Sequence, residues 1–330
     1  MKRHNHPTTR NITIPSYTTK TYDWVMPAIS GTTTYRWSYM TNTYNTSSSV
    51  DSKTAVATLM FHCGVGAEMD YKETGSSSFT RNAALALIKY FNYDLSIQYV
   101  RRNYHSNSDW ETILRMEINA GRPIYYAGYG SEGHAFVCDG YDESGRFHFN
   151  WGWGGSQDGY FVTTTLNPGT DGTDDSEAFN HDQEILINIK PNSGGAKYND
   201  IKITAETNIS TEKTTLYRGE SFVVNAPVKN QGLFSFNGDV GIAMVDANDN
   251  ILSVIGQQSL TLDPNFQYSD VYSIRATIPT TTATGNCLIR VVYKSSDESK
   301  WSIVRATLGF TDLLKLAVTT NPHNIRLVNN

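Results

Sequence analysis

Gly130-Ser131-Glu132-Gly133-His134-Ala135-Phe136-Val137, followed by Phe149-Asn150-Trp151-Gly152-Trp153-Gly154-Gly155 and Asp158-Gly159-Tyr160, is the most informative stretch of this chain. His134 opens a strand after a glycine-bearing loop. Asn150 closes the returning strand, and Trp151 follows it directly. A working imidazole must be held in one tautomer and one orientation. An Asn oxygen accepting from one ring N–H does that. A Trp ring over that bond excludes water and strengthens it. The glycines let another backbone come close. Hence His134 is the candidate general base and acid, Asn150 its orienter and Trp151 the shield. A lone strand histidine is more often structural, and Trp–Gly clusters often just pack a sheet. The joint pattern is what singles this one out.

Strand geometry adds a condition. With a tight turn at Asp142-Glu143-Ser144-Gly145, Tyr141 pairs with Arg146 and Asn150 pairs with Val137. Val137 lies three residues from His134, so Asn150 then faces the opposite side of the sheet. The two meet only if the ladder slips by one residue, so a β-bulge is expected in this hairpin.

Working outward, strands are predicted over 123–129, 134–141, 146–151, 159–164 and 185–189. Helical spacing before them predicts helices over 51–63, with Gly64 as stop, and over 78–91. A third helix begins at a capping box Ser108-Asp109-Trp110-Glu111 and ends at Gly121-Arg122-Pro123. Residues 1–47 read as loops and short extended pieces. Helices followed by a run of strands make residues 1–190 an α+β domain. Residues 191–200, with Pro191-Asn192-Ser193-Gly194-Gly195, read as a linker. From 201 to 315 short alternating strands recur, as in an immunoglobulin-like all-β sandwich. Residues 316–330 read as a tail or the start of a further segment.

Composition excludes several classes. The 330 residues carry 27 basic and 32 acidic side chains, a net charge of −5, so no nucleic-acid footprint is expected. No apolar run is long enough to span a bilayer. Met1-Lys2-Arg3 has no apolar region after it to make a signal peptide. Cys63, Cys138 and Cys287 give no CxxC pair and no zinc pattern, so no metal and no cofactor is expected. His4 and His6 lack a third ligand. Asp171, Asp174, Asp175, Glu177, Asp182 and Glu184 fit no EF-hand and read as a solvated loop.

The order His, Asn-Trp, Gly-rich loop resembles papain-like cysteine peptidases. Within them the wording is similar to the streptopain family, including interpain-like enzymes of anaerobic bacteria. Pro123-Ile124-Tyr125-Tyr126 and His148-Phe149-Asn150-Trp151-Gly152-Trp153-Gly154-Gly155 carry most of this. Met1-Lys2-Arg3-His4-Asn5-His6-Pro7 and Val65 to Tyr71 add to it. The resemblance implies a papain-like cysteine peptidase domain over 1–190, helices plus antiparallel sheet, that cleaves extended or unfolded proteins. It implies a secreted or cell-surface location, with protein or peptide substrates as partners. Host or cell-surface contact would fall to the C-terminal domain.

The family's nucleophilic Cys stands near the start of its first core helix, at a position before Met1. The expectation is therefore a chain truncated at its front, with no nucleophile and no peptidase activity of its own. Cys63 falls at a helix C-terminus, where the dipole disfavours a thiolate. Cys138 lies too far along the His134 strand, and Cys287 is in the other domain. The alternative is a non-catalytic pseudo-peptidase that binds peptides or host surfaces.

Overall fold

The computed structural model describes residues 1–168, 178–194, 203–264 and 270–320. The chain divides into two compact units, residues 1–199 and 200–330.

The first unit opens on a short 3-10 turn at Lys2–His4 followed by extended chain. Thr9–Arg10 pairs with Thr33–Thr34, and Tyr17–Thr18 with Val25–Met26. Buried Arg10 donates to the Ile29 carbonyl (3.3 Å) and to Thr33 Oγ1 (3.2 Å), tying this layer together. Helices α1 (Val50–Gly66), α2 (Thr80–Phe91) and α3 (Asn107–Asn119) follow. Ser49 caps α1 by accepting from the Ser52 N–H at 3.1 Å. The stop expected at Gly64 does not operate, and α1 continues to Gly66. Gly64 serves packing instead: a Cβ there would collide with the Tyr71 hydroxyl, whereas one at Gly66 would reach only ordinary contact with Ala86 and Phe91 of α2.

The cap of α3 lies earlier than expected, at Ser106 rather than Ser108. Ser106 Oγ accepts the Asp109 N–H at 3.2 Å and donates to Asp109 Oδ2 at 2.7 Å. Asp109 stands where Glu usually completes a capping box, but its carboxylate takes the Ser106 hydroxyl rather than the Ser106 N–H. The helix is left at Gly121, whose φ of 71° is one that glycine adopts without strain.

Six strands build the central sheet: β1 (Gln98–Arg101), β2 (Ile124–Tyr129), β3 (Gly133–Tyr141), β4 (Phe147–Asn150), β5 (Gly159–Phe161) and β6 (His181–Ile187). Their order is β1-β6-β2-β3-β4-β5, and every neighbouring pair is antiparallel. β1 had no sequence signal. It is four residues long and is defined by pairing with β6, far away in the chain. One face of the sheet buries Phe136, Cys138, Phe147, Phe149 and Trp151 against Trp110 and Leu114 of α3. The alternation along β3 is regular here: Ala135, Val137 and Asp139 are exposed while Phe136 and Cys138 are buried.

The expected bulge is present between Cys138 and Gly140, with Asp139 as the extra residue. It acts in a different direction from the one the dyad needed. The turn pairs Tyr141 with Phe147, and the bulge then brings Val137 opposite Asn150. Asn150 therefore faces the side of Val137, away from His134.

The second unit contributes two sheets to one core. Its strands are β7 (Ile203–Ala205), β8 (Thr215–Tyr217), β9 (Ser221–Asn230), β10 (Phe236–Val245), β11 (Ile251–Leu262), β12 (Asp270–Thr277), β13 (Gly285–Ser295), β14 (Ser302–Ile303), β15 (Arg305–Ala306) and β16 (Leu313–Thr319). One sheet has the order β12-β9-β7-β15. The other has β8-β16-β13-β10-β11, with β14 also on β13. Val224, Ala226 and Ile274 of the first share a core with Val240, Ile242, Ile289 and Val291 of the second. β16 runs to Thr319, past the boundary expected at 315, because it pairs with both β8 and β13.

Candidate functional site

His134 lies opposite Gly128 in the β2–β3 ladder and shares the core-side face with Phe136. Its Nε2 is 2.8 Å from the Trp151 carbonyl oxygen. A carbonyl can only accept, so Nε2 carries the proton and donates it. Nδ1 is left as the basic nitrogen and makes no hydrogen bond among the described residues. This is the tautomer a general base needs, and the fold fixes it through backbone.

Asn150 does not touch the imidazole. Its side chain is exposed, and Oδ1 accepts from the Gly152 N–H at 3.0 Å. The parity of the ladder explains the correction: residue 150 faces away and the chain turns inward only at 151. Yet the two bonds share one peptide unit. The Trp151 carbonyl and the Gly152 N–H belong to the same planar amide and point in opposite directions. By holding the N–H on one side, Asn150 turns the carbonyl toward His134 on the other.

The shield is also displaced by one aromatic. The Trp151 ring is fully buried against Phe136 (4.5 Å between centroids) and Phe149 (5.6 Å). Trp153 stacks on His134 instead, at 5.1 Å and 26° between planes. Trp151 is the anchor of this arrangement. Its N–H donates to Asp158 Oδ1 at 2.9 Å and its indole Nε1 to the Gln157 carbonyl at 2.9 Å. The loop between them turns back through Gly152, Gly154 and Gly155, all at positive φ, and so carries Trp153 over the imidazole.

Phe179, which sequence reasoning missed, forms another wall, 5.2 Å from His134. Its approach depends on two glycines of β2 and the turn after it. A Cβ at Gly128 would collide with the Phe179 carbonyl, and one at Gly130 with the Ala178 carbonyl. Gly128 and Gly130 were visible in the sequence, but the segment crossing them is some fifty residues away. Among the described residues, no three His, Cys, Asp or Glu side chains group to hold a metal. Asp171, Asp174, Asp175 and Glu177 lie outside the described residues.

No cysteine of the chain is presented as a thiolate. Cys63 sits in the last turn of α1 with Sγ 3.4 Å from Met1 Sδ, and burial pushes its thiol up to about 12. Cys138 is buried in the β3 core, where burial and the Asp139 charge push its thiol up. Burial also raises Cys287, in the second unit.

Residues 1–161 match the profile of the peptidase C10 family. The chain is 40% identical over 165 residues to the thiol protease/hemagglutinin PrtT of Porphyromonas gingivalis, covering 49% of this chain and 19% of that protein. It is 37% identical over 166 residues to streptopain of Streptococcus pyogenes, covering 50% of this chain and 42% of that protein. The chain therefore spans less than half the length of these relatives. Among solved structures, active interpain A, a cysteine protease of Prevotella intermedia, matches at 30% identity with a TM-score of 0.50, over 56% of this chain and 77% of that one. Helices set beside an antiparallel sheet, with the imidazole at the head of a sheet strand, make the first unit an α+β fold of papain-like type. With sequence and fold in agreement over the residues that surround His134, the chain belongs to the peptidase C10 family.

Proposed function

We propose that the first unit carries the base half of a cysteine peptidase site acting on extended or unfolded proteins. His134 is the general base and acid, the Trp151 carbonyl orients it, Asn150 acts on it through the shared peptide unit, and Trp153 shields it. The observation that carries this is the Nε2 to Trp151 carbonyl bond of 2.8 Å, which leaves Nδ1 as the base. In such a site the imidazole takes the thiol proton, a thiolate attacks the scissile carbonyl and the imidazolium protonates the leaving amine. Water then clears the acyl-enzyme. The raised thiols of Cys63, Cys138 and Cys287 do not serve as that thiolate, so the chain by itself does not cleave peptides. The second unit is read as an immunoglobulin-like sandwich that makes host or cell-surface contacts. A secreted or cell-surface location is carried over from the resemblance to streptopain-like enzymes. Among the described residues no helix is long and apolar enough to cross a membrane.

The test joins the Cys-bearing helix of a family member to the chain and follows casein hydrolysis. Cleavage is expected, with a loss of at least about 10²-fold in His134→Ala. Undiminished cleavage in that variant would overturn the role of His134. The state of the thiols favours a second reading, a non-cleaving peptide-binding module. Labelling of the chain itself by a thiol-directed epoxide would exclude that reading.

A further inference from the structure

Gln183 is 2% exposed and stands at an irregularity of the sheet. Between β2 and β6 the register shifts: His181 pairs with Tyr129 and Glu184 with Ala127, so Asp182 and Gln183 together oppose Gly128. Asp182 takes a positive φ of 43° at this bulge. Bulges re-aim side chains, and this one accompanies a Gln183 side chain that is turned into the core.

There every hydrogen-bonding position of the amide is filled. Oε1 accepts from the Tyr126 hydroxyl at 2.6 Å and from Arg102 at 2.5 Å. Nε2 donates to the carbonyls of Thr163 (3.0 Å) and Phe179 (3.1 Å). The carbonyls only accept, so the amide has one satisfied orientation. Upstream, the Trp110 indole donates to Tyr126 at 2.9 Å, and burial keeps the Tyr126 phenol neutral and able to donate. The other end of this chain of bonds is the Phe179 carbonyl, which lies over Gly128, the partner of His134. The Phe179 N–H is fixed in turn by the Leu166 carbonyl at 2.8 Å.

We infer that Gln183 is a positioning residue for His134: through the Phe179 carbonyl it sets the Phe179 ring against the imidazole. Tyr126 and Arg102 hold Gln183 in its orientation. A buried, fully satisfied polar network of this kind specifies one arrangement where an apolar core would tolerate several. The inference rests on His134 being the working imidazole.

The experiment reads the His134 ring protons in the full chain by NMR with ring-labelled histidine, assigned with His134→Gln. Phe179→Leu calibrates the shift caused by the Phe179 ring current. Gln183→Glu keeps both acceptor bonds but replaces the N–H donors by an oxygen facing two carbonyls. It is expected to move the His134 signals in the same direction and by at least half as much, with His4 and His148 in place. Tyr126→Phe should move them less, in the same direction. A folded Gln183→Glu protein with unmoved His134 signals overturns the inference. Should that variant not fold, unmoved signals in Tyr126→Phe do the same. Failure of His134 as the base would show in the casein assay instead and would leave these ring positions unchanged.

Discussion

Removing the Asn150 side chain separates two mechanisms for holding the same imidazole. In the structure Asn150 contributes one neutral hydrogen bond, Oδ1 to the Gly152 N–H at 3.0 Å, on an exposed residue. Such a bond is worth about 1 kcal/mol net, or about fivefold in an equilibrium. Asn150→Ala leaves the Trp151 carbonyl in place, so the His134 Nε2–H keeps its acceptor. Had Asn150 been the direct partner, the same substitution would strip the ring N–H of its bond. That costs about 1–3 kcal/mol, up to roughly a hundredfold. The assay is 15N NMR of ring-labelled histidine, which reports the tautomer and the solvent exchange of the Nε2 proton. The expected result is the same tautomer, with exchange faster by about fivefold. Asn150→Asp, whose carboxylate still accepts from Gly152, should exchange at nearly the original rate. Loss of the Nε2–H tautomer in Asn150→Ala would refute the peptide-mediated account and restore a direct contact.

Three further outcomes test other parts of the molecule. Gly128→Ala forces a methyl group against the Phe179 carbonyl. It should cost about 1–3 kcal/mol in thermal denaturation, and an unchanged midpoint would contradict the close crossing. Burial raises the Cys63 thiol from 9.0 to about 12, so the folded state holds that proton more tightly than the unfolded chain. The resulting stability is complete below about pH 9 and is lost as pH rises through about 12. The folded protein should therefore resist disulfide-reagent labelling at Cys63 at mildly alkaline pH, and Cys63→Ala should flatten the alkaline decline in urea stability. In the second unit Arg290, 8% exposed at its side chain, bonds Asp249 (3.0 Å) and Asp312. Arg290→Met should lower urea stability by less than the about 3–5 kcal/mol of a fully buried pair. Both carboxylates keep solvent contact, and Arg305 remains 2.9 Å from Asp249. No loss at all would mean that the pair contributes nothing.

Local physics was legible in the sequence. Helical spacing located α1, α2 and α3, and alternation with turn residues located the hairpins around His134. What failed locally was the meaning of single residues. Gly64 reads as a stop from its neighbours, but its missing Cβ makes room for Tyr71. Ser108 completes a plausible capping box, but Ser106 is the residue that caps the helix. β1 is short and is paired only through contact with β6, so no pattern within it could announce it.

The sequence by itself determined the local frame: His134 at a strand head, then Asn150 and Trp151 at the end of the returning strand and a glycine loop after them. Spacing along two antiparallel strands and the conformational demands of glycine suffice for that. Only the tertiary structure decided which atoms do the holding. A bulge at Asp139 set the parity that turned Asn150 outward, and the Trp151 carbonyl took the ring N–H. Trp153 came over the ring through the positive-φ loop, and Phe179 arrived from a distant segment across Gly128. Side-chain direction in a sheet depends on cumulative register, and contacts between remote segments depend on packing. Neither quantity is stored in any short stretch of the chain.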